Sequence, residues 1–164
     1  MTNKKTRLLL FFDTEFTHFI DIDLISIGVV SQHSHEFYAE NAEYQKAWCS
    51  DFVNSVVLPK LQGGKYAMPY SQLQVKIQCW ISGLLEEYAS ILFIYDYCDD
   101  WDLLIDLLTD YPQMDKIQGI KEDVSDLAEL YFLGEHPNQH HALFDAKVLM
   151  NDFKMKYADS EPRH

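Results

Sequence analysis

The first apolar run of the chain, Leu8-Leu9-Leu10-Phe11-Phe12, has no polar interruption. That is the pattern of a strand covered on both faces. Leu24-Ile25-Ser26-Ile27-Gly28-Val29-Val30 is β-branched and predicts a second strand, with a turn at Ser31-Gln32-His33-Ser34 and a third strand at Glu36-Phe37-Tyr38-Ala39. From Glu43 to Leu58, Ala47, Phe52, Val53, Val56 and Val57 recur at helical spacing, and Pro59 marks the stop. Gln62-Gly63-Gly64-Lys65 is a loop. Ser71 is placed to cap a helix through Tyr88, whose apolar side carries Leu73, Ile77, Trp80, Ile81, Leu84 and Leu85. Ile91 to Tyr95 predicts a fourth strand, and Asp99 or Asp100 opens a helix to Leu108 that Tyr111-Pro112 breaks. A short segment around Ile117 adds a fifth strand, and helices over 123–132 and 141–157 complete the pattern. A meander followed by alternating helices and strands is an α/β arrangement, a mixed sheet with helices on its faces.

At 164 residues the chain suits one domain, over 1–158, with 159–164 a frayed polar tail. Composition, 48% hydrophobic and 14% aromatic, excludes disorder and predicts a packed core. Cys49, Cys79 and Cys98 form no C-x-x-C pair and read as buried thiols of a reducing cytoplasm. No run reaches the roughly 20 apolar residues of a membrane span. The basic start followed by Leu8–Phe12 resembles a signal peptide, but the run is short and ends in Asp13 and Glu15 with no small-residue cleavage site. The net charge of −13, from 26 acidic and 13 basic residues, argues against tight binding of long duplexes. Bound divalent cations can supply positive charge locally, so the balance favours short or single-stranded substrates, or no nucleic acid at all.

Three segments carry candidate chemistry. Asp13 and Glu15 are two apart, so on an extended strand they point to one face. Neighbouring carboxylates repel unless a proton or cation sits between them, and hard oxygen ligands suit Mg²⁺ or Mn²⁺ rather than zinc. A strand end facing water has the same spacing, and this triplet alone leaves both open. In His140-His141-Ala142-Leu143-Phe144-Asp145-Ala146, Asp145 projects from a helix toward the sheet while His140 precedes it. Solvated histidines at a helix start are the alternative. Asp96-Tyr97-Cys98-Asp99-Asp100-Trp101-Asp102 falls just past the fourth strand, where open sheets place their sites. Helix N-terminal charge accounts for one or two of these aspartates but not for all four.

Together these segments resemble the DEDDh family of 3′→5′ exonucleases, the group containing RNase T, oligoribonuclease and the proofreading exonuclease subunits. Asp13-Thr14-Glu15 matches the D-x-E motif, Asp100 with Leu103 and Leu104 the second motif, and His140 with Asp145 the third, H-x-A-x-x-D-A. Asp96 stands where many members carry asparagine, and His141 where the sister subfamily carries tyrosine. Phe12–Phe16, Asp23–Val30, Glu36–Ala39 and Val57–Leu61 narrow the similarity to small bacterial exoribonucleases of the mycobacterial type, over about Leu8 to Phe153.

The resemblance implies one exonuclease domain with a ribonuclease H-like fold, a mixed five-stranded sheet flanked by helices on both faces. It implies two Mg²⁺ (or Mn²⁺) ions held by Asp13, Glu15, Asp100 and Asp145. Asp13 would bridge them, Glu15 and Asp145 would serve the attacking water, Asp100 would order the site, and His140 would act as general base. The expected substrate is an RNA 3′ end, single-stranded or overhanging, the product a nucleoside 5′-monophosphate, and the assembly a cytoplasmic homodimer without membrane contact. Thr14 and Phe16 are candidates to meet the terminal nucleotide, Trp101 to stack on a base, and Lys60 and Lys65 to contact phosphates. Alternatives at this point are an exonuclease acting on DNA or short oligonucleotides, an RNase H-type endonuclease, an inactive nucleic-acid-binding member of the fold, and an acidic interaction protein.

Overall fold

The computed structural model describes residues 4–123 and 137–158. Its centre is β1 (Lys5–Phe16), flanked by antiparallel β2 (Leu24–Ser31) and by parallel β5 (Tyr88–Tyr95). Outside them lie β3 (Glu36–Asn41), antiparallel to β2, and β6 (Ile117–Lys121), parallel to β5. The two-residue strand β4 (Ala67–Met68) pairs with Glu40 and Asn41, giving a six-stranded mixed sheet ordered β4-β3-β2-β1-β5-β6. Five strands are expected from the sequence. The sixth escapes because two residues ahead of Pro69 carry no alternation to read.

Period-two alternation divides β1 between two layers. Leu8, Leu10 and Phe12 pack under helices α1 (Tyr70–Glu87) and α2 (Cys98–Leu107), through Leu73, Ile77, Ile81 and Leu104. Phe11 faces the other way, toward Ala146 and Leu149 of α3 (Ala142–Tyr157). Helices therefore cover both faces, and the face that carries Leu9 and Phe11 continues into Asp13 and Glu15.

Several local expectations change. The strand β1 runs past the apolar run to Phe16, so Asp13 and Glu15 lie inside it, in the extended backbone that their shared face requires. The stretch expected as one helix over 43–58 divides into a tight turn at Lys46–Trp48 and an irregular helical coil from 51 on, wide at Val53–Val57 and tight at Leu58–Lys60. Its buried contacts are few: Val53 and Val57 pack on Ile25, while Trp48 and Phe52 stay exposed. A regular helix with so narrow a packed stripe gains little over an irregular one. Ser71 lies inside α1 rather than capping it; the Tyr70 N–H donates instead to Glu43 Oε2 at 2.9 Å. Cys79 and Cys98 are exposed and Cys49 half-buried, all free, against the expectation of buried thiols. The helix expected over 123–132 and the tail at 159–164 fall outside the described residues, apart from Asp123. Among the described residues no helix is long and apolar enough to cross a membrane.

Candidate metal centre

A cleft of about 400 Å³ opens at the carboxyl ends of β1 and β5. Asp13, Glu15, Asp96, Asp100, His140 and Asp145 all line it. They form two groups. One ligand atom each from Asp13, Asp96 and Asp100 lies within 4.8 Å of the others, and Glu15, His140 and Asp145 meet the same criterion.

Each side chain arrives by a distinct local device. Strand alternation brings Asp13 and Glu15 to the α3 face, where β1 pairs Asp13 with Gly28 and Glu15 with Ser26. Gly28 is where α3 touches down. A Cβ there would lie 2.1 Å from the Leu143 nitrogen, so only glycine lets the first turn of α3 rest on the sheet. That contact sets Asp145 over β1. Asp145 Oδ2 accepts the His140 backbone N–H at 2.9 Å, and His140 takes a left-handed backbone with φ of 63°. Its imidazole meets the Phe52 ring edge-on at 4.9 Å. Asp100, in the first turn of α2, is buried; its Oδ1 accepts the Thr14 N–H at 3.2 Å and the Thr14 hydroxyl at 2.5 Å. Asp96 follows directly on β5.

Burial and mutual repulsion push these carboxyls up. Asp13 lies well above the usual carboxylate range, first through desolvation and then through Asp100, Asp145, Glu15 and Asp96. Glu15 is raised by desolvation and by Asp145 and Asp100, with Lys60 opposing. Desolvation carries Asp100 to about 8 despite the two bonds from Thr14, and Asp145 to about 7 despite the His140 N–H. Asp96 is raised mainly by burial. His140 moves down, because burial and the Lys60 charge both disfavour the imidazolium. Acids held up and a histidine held neutral are the electrostatics of a site built around cations. Asp145 Oδ1 is buried with no hydrogen-bond partner among the described residues, which a buried acceptor rarely tolerates. Carboxylates with one imidazole fit Mg²⁺ or Mn²⁺.

No protein-family model matches the chain. Two curated relatives are similar to part of it. Both are named 3′-5′ exoribonuclease, come from two strains of Mycobacterium tuberculosis, and are 36% identical to this chain over 84 residues. The match covers 49% of this chain and 45% of each relative, so the chain spans about half the length of these exoribonucleases. The similarity to mycobacterial exoribonucleases is thus upheld over these 84 residues, a shorter stretch than the expected Leu8 to Phe153.

Some side chains fall where the sequence does not point. His141 leaves the cleft: its ring stacks on Tyr38 at 4.5 Å and its Nε2 lies 3.0 Å from Gln62 Nε2. Trp101 lies over Gly119, where a Cβ would come within 2.5 Å of its ring, and stacks on Tyr95. It packs rather than faces the cleft. Phe16 does line the cleft, edge-on to Phe19, which meets Tyr97 in turn. Phe19, Tyr97 and Phe52 are exposed aromatics at its rim. No spacing in the sequence marks these three, because the rim joins loops far apart in the chain.

Proposed function

We propose that the chain is a metal-dependent 3′→5′ exoribonuclease of the DEDDh type on a ribonuclease H-like fold. The observation that carries the reading is the meeting of the two acidic groups, with His140, in one cleft. The relatives' names favour RNA and a free 3′ end. Asp13, Glu15, Asp100 and Asp145 would hold two Mg²⁺ or Mn²⁺ ions, with Asp96 a further carboxylate beside Asp13 and Asp100. When divalent cations are bound, the chemistry supplied is neutralisation of charge on the entering and departing oxygens. His140, neutral at physiological pH, takes the proton of the attacking water, and Phe52 against its ring limits its rotation. Phe16 and Phe19 offer π-faces to the terminal bases. Thr14 lines the cleft too, but its hydroxyl is engaged by Asp100, so it acts chiefly by holding that carboxylate. The products are nucleoside 5′-monophosphates.

The test is a 5′-labelled single-stranded RNA incubated with Mg²⁺ or Mn²⁺. Stepwise shortening from the 3′ end, stopped by EDTA, is expected. Asp13→Ala and His140→Ala should each lose activity by about a thousandfold with an unchanged circular-dichroism spectrum, whereas His141→Ala should remain active. Wild-type rates in both cleft variants would overturn the site.

A further inference from the structure

A second cavity, of about 370 Å³, adjoins the acid cleft. His140 and His141 are neighbours in the chain, yet they line different cavities. Lys60 joins the two: it lines the second cavity, donates to the Gln139 carbonyl, and its charge is felt at Glu15, Asp145 and His140. The polar wall consists of Lys60, Lys147, His141, Gln62 and Asn138, and among the described residues no carboxylate lines it. In a chain with twice as many acidic as basic residues, that composition selects an anion. Leu143 and Phe144 add an apolar floor.

The wall is held before any ligand arrives. Glu40, 2% exposed, accepts the N–H groups of Gln62 and Gly63 at 2.6 and 2.9 Å and the Tyr38 hydroxyl at 2.8 Å. Tyr38 in turn carries the His141 ring. One buried carboxylate therefore fixes both Gln62 and His141. Lys147 pairs with Glu36, outside the lining, at 2.7 Å.

We propose that this cavity is a phosphate subsite that takes a phosphodiester of the substrate strand upstream of the bond being cut. The proposal rests on the exoribonuclease reading of the acid cleft, which sets where the strand ends. Lysine ammonium groups and side-chain amides are the donors that phosphate oxygens use. The volume admits about one nucleotide, and the shared Lys60 puts the subsite next to the cleft.

Fluorescence anisotropy with a labelled RNA pentamer in EDTA tests it without hydrolysis. Lys147→Gln should weaken binding by about tenfold and flatten the slope of log K against log salt by about 0.7, one phosphate contact. Lys147→Arg and Glu36→Gln, which keep a cation there, should retain wild-type affinity. A dinucleoside monophosphate, whose single phosphate belongs to the acid cleft, should bind both Lys147→Gln and wild type equally. Unchanged pentamer affinity and slope in Lys147→Gln would overturn the subsite. So would a result in which inorganic phosphate binding depends on Lys147 while the pentamer does not, since the occupant would then be a free anion. Because binding is read apart from turnover, an inactive protein that shows the Lys147 effect would count against the nuclease reading alone.

Discussion

Asp13 is surrounded by four other carboxylates, and in the absence of cations the protein bears their repulsion. Asp13→Asn removes a carboxyl that must either repel its neighbours or keep a proton, at little change in volume. It should stabilise the metal-free protein by about 1 kcal/mol, a gain of about 2–4 °C in Tm, while abolishing catalysis. A fall in Tm measured in EDTA would contradict this. The pH dependence has the same origin. Asp100 and Asp145 are held at about 8 and about 7 against an ordinary value of 3.8. The fold thus keeps protons that the unfolded chain releases. Their contribution to stability is complete below that ordinary value and is lost as pH rises through the folded values. Thermal melts in EDTA should therefore decline between about pH 5 and pH 9, and the Mn²⁺-induced rise in Tm should be larger at the alkaline end. A flat profile would show that the cleft carboxyls are not the titrating groups. Strand alternation put Asp13 and Glu15 on one face and helix spacing turned Asp145 toward the sheet, whereas the choice of Asp100 over Asp99 and of His140 over His141 came from the family resemblance. The place of Asp96 beside Asp13, like that of Lys60 beside Glu15, depends on β1 pairing with β5 and on an irregular coil. No local pattern encodes either.

At the scale of elements, the crossing of α3 over β2 decides whether the site exists. Gly28→Ala would force the Leu143 backbone away, at a cost of about 1–3 kcal/mol, and would carry Asp145 with it. A loss of activity larger than the loss of stability is expected, read as the rate at a temperature where the variant is fully folded. Gly83→Ala is the natural comparison. Gly83 sits in α1 with nothing near its missing Cβ, so the change should stabilise by about 0.5–1 kcal/mol and leave the rate alone. The strands β2 and β5 were legible from their runs of Ile, Val and Leu, β3 from its place after a turn, and α1 and α2 from their apolar stripes, whereas only a short segment around Ile117 marked β6. The reach of β1 to Phe16 was not legible, because acidic residues in a strand look like its end until a cleft is known to receive them. The helix that ends before Pro59 was legible, but its start at 51 and its irregular winding were not, because spacing shows which side chains share a face, not whether anything packs against it.

For the molecule as a whole, the distribution of charge matters more than its sum. The chain is strongly acidic, yet among the described residues Lys60 and Lys147 share one wall beside the cleft, while Lys121 acts on Asp96 from another side. RNA binding should therefore depend weakly on salt, with a log–log slope near −1.4 for about two phosphates, and long duplex DNA should compete poorly. A slope several times steeper would mean that a larger basic surface exists elsewhere. Gly28 has a bearing beyond this molecule. Any descendant or cousin of the chain with a bulkier residue there must tilt its last helix, and the acid on that helix leaves the pair it completes. A single codon thus reports on a distant constellation, and screening for it would sort working copies from decayed ones even where every acidic position survives.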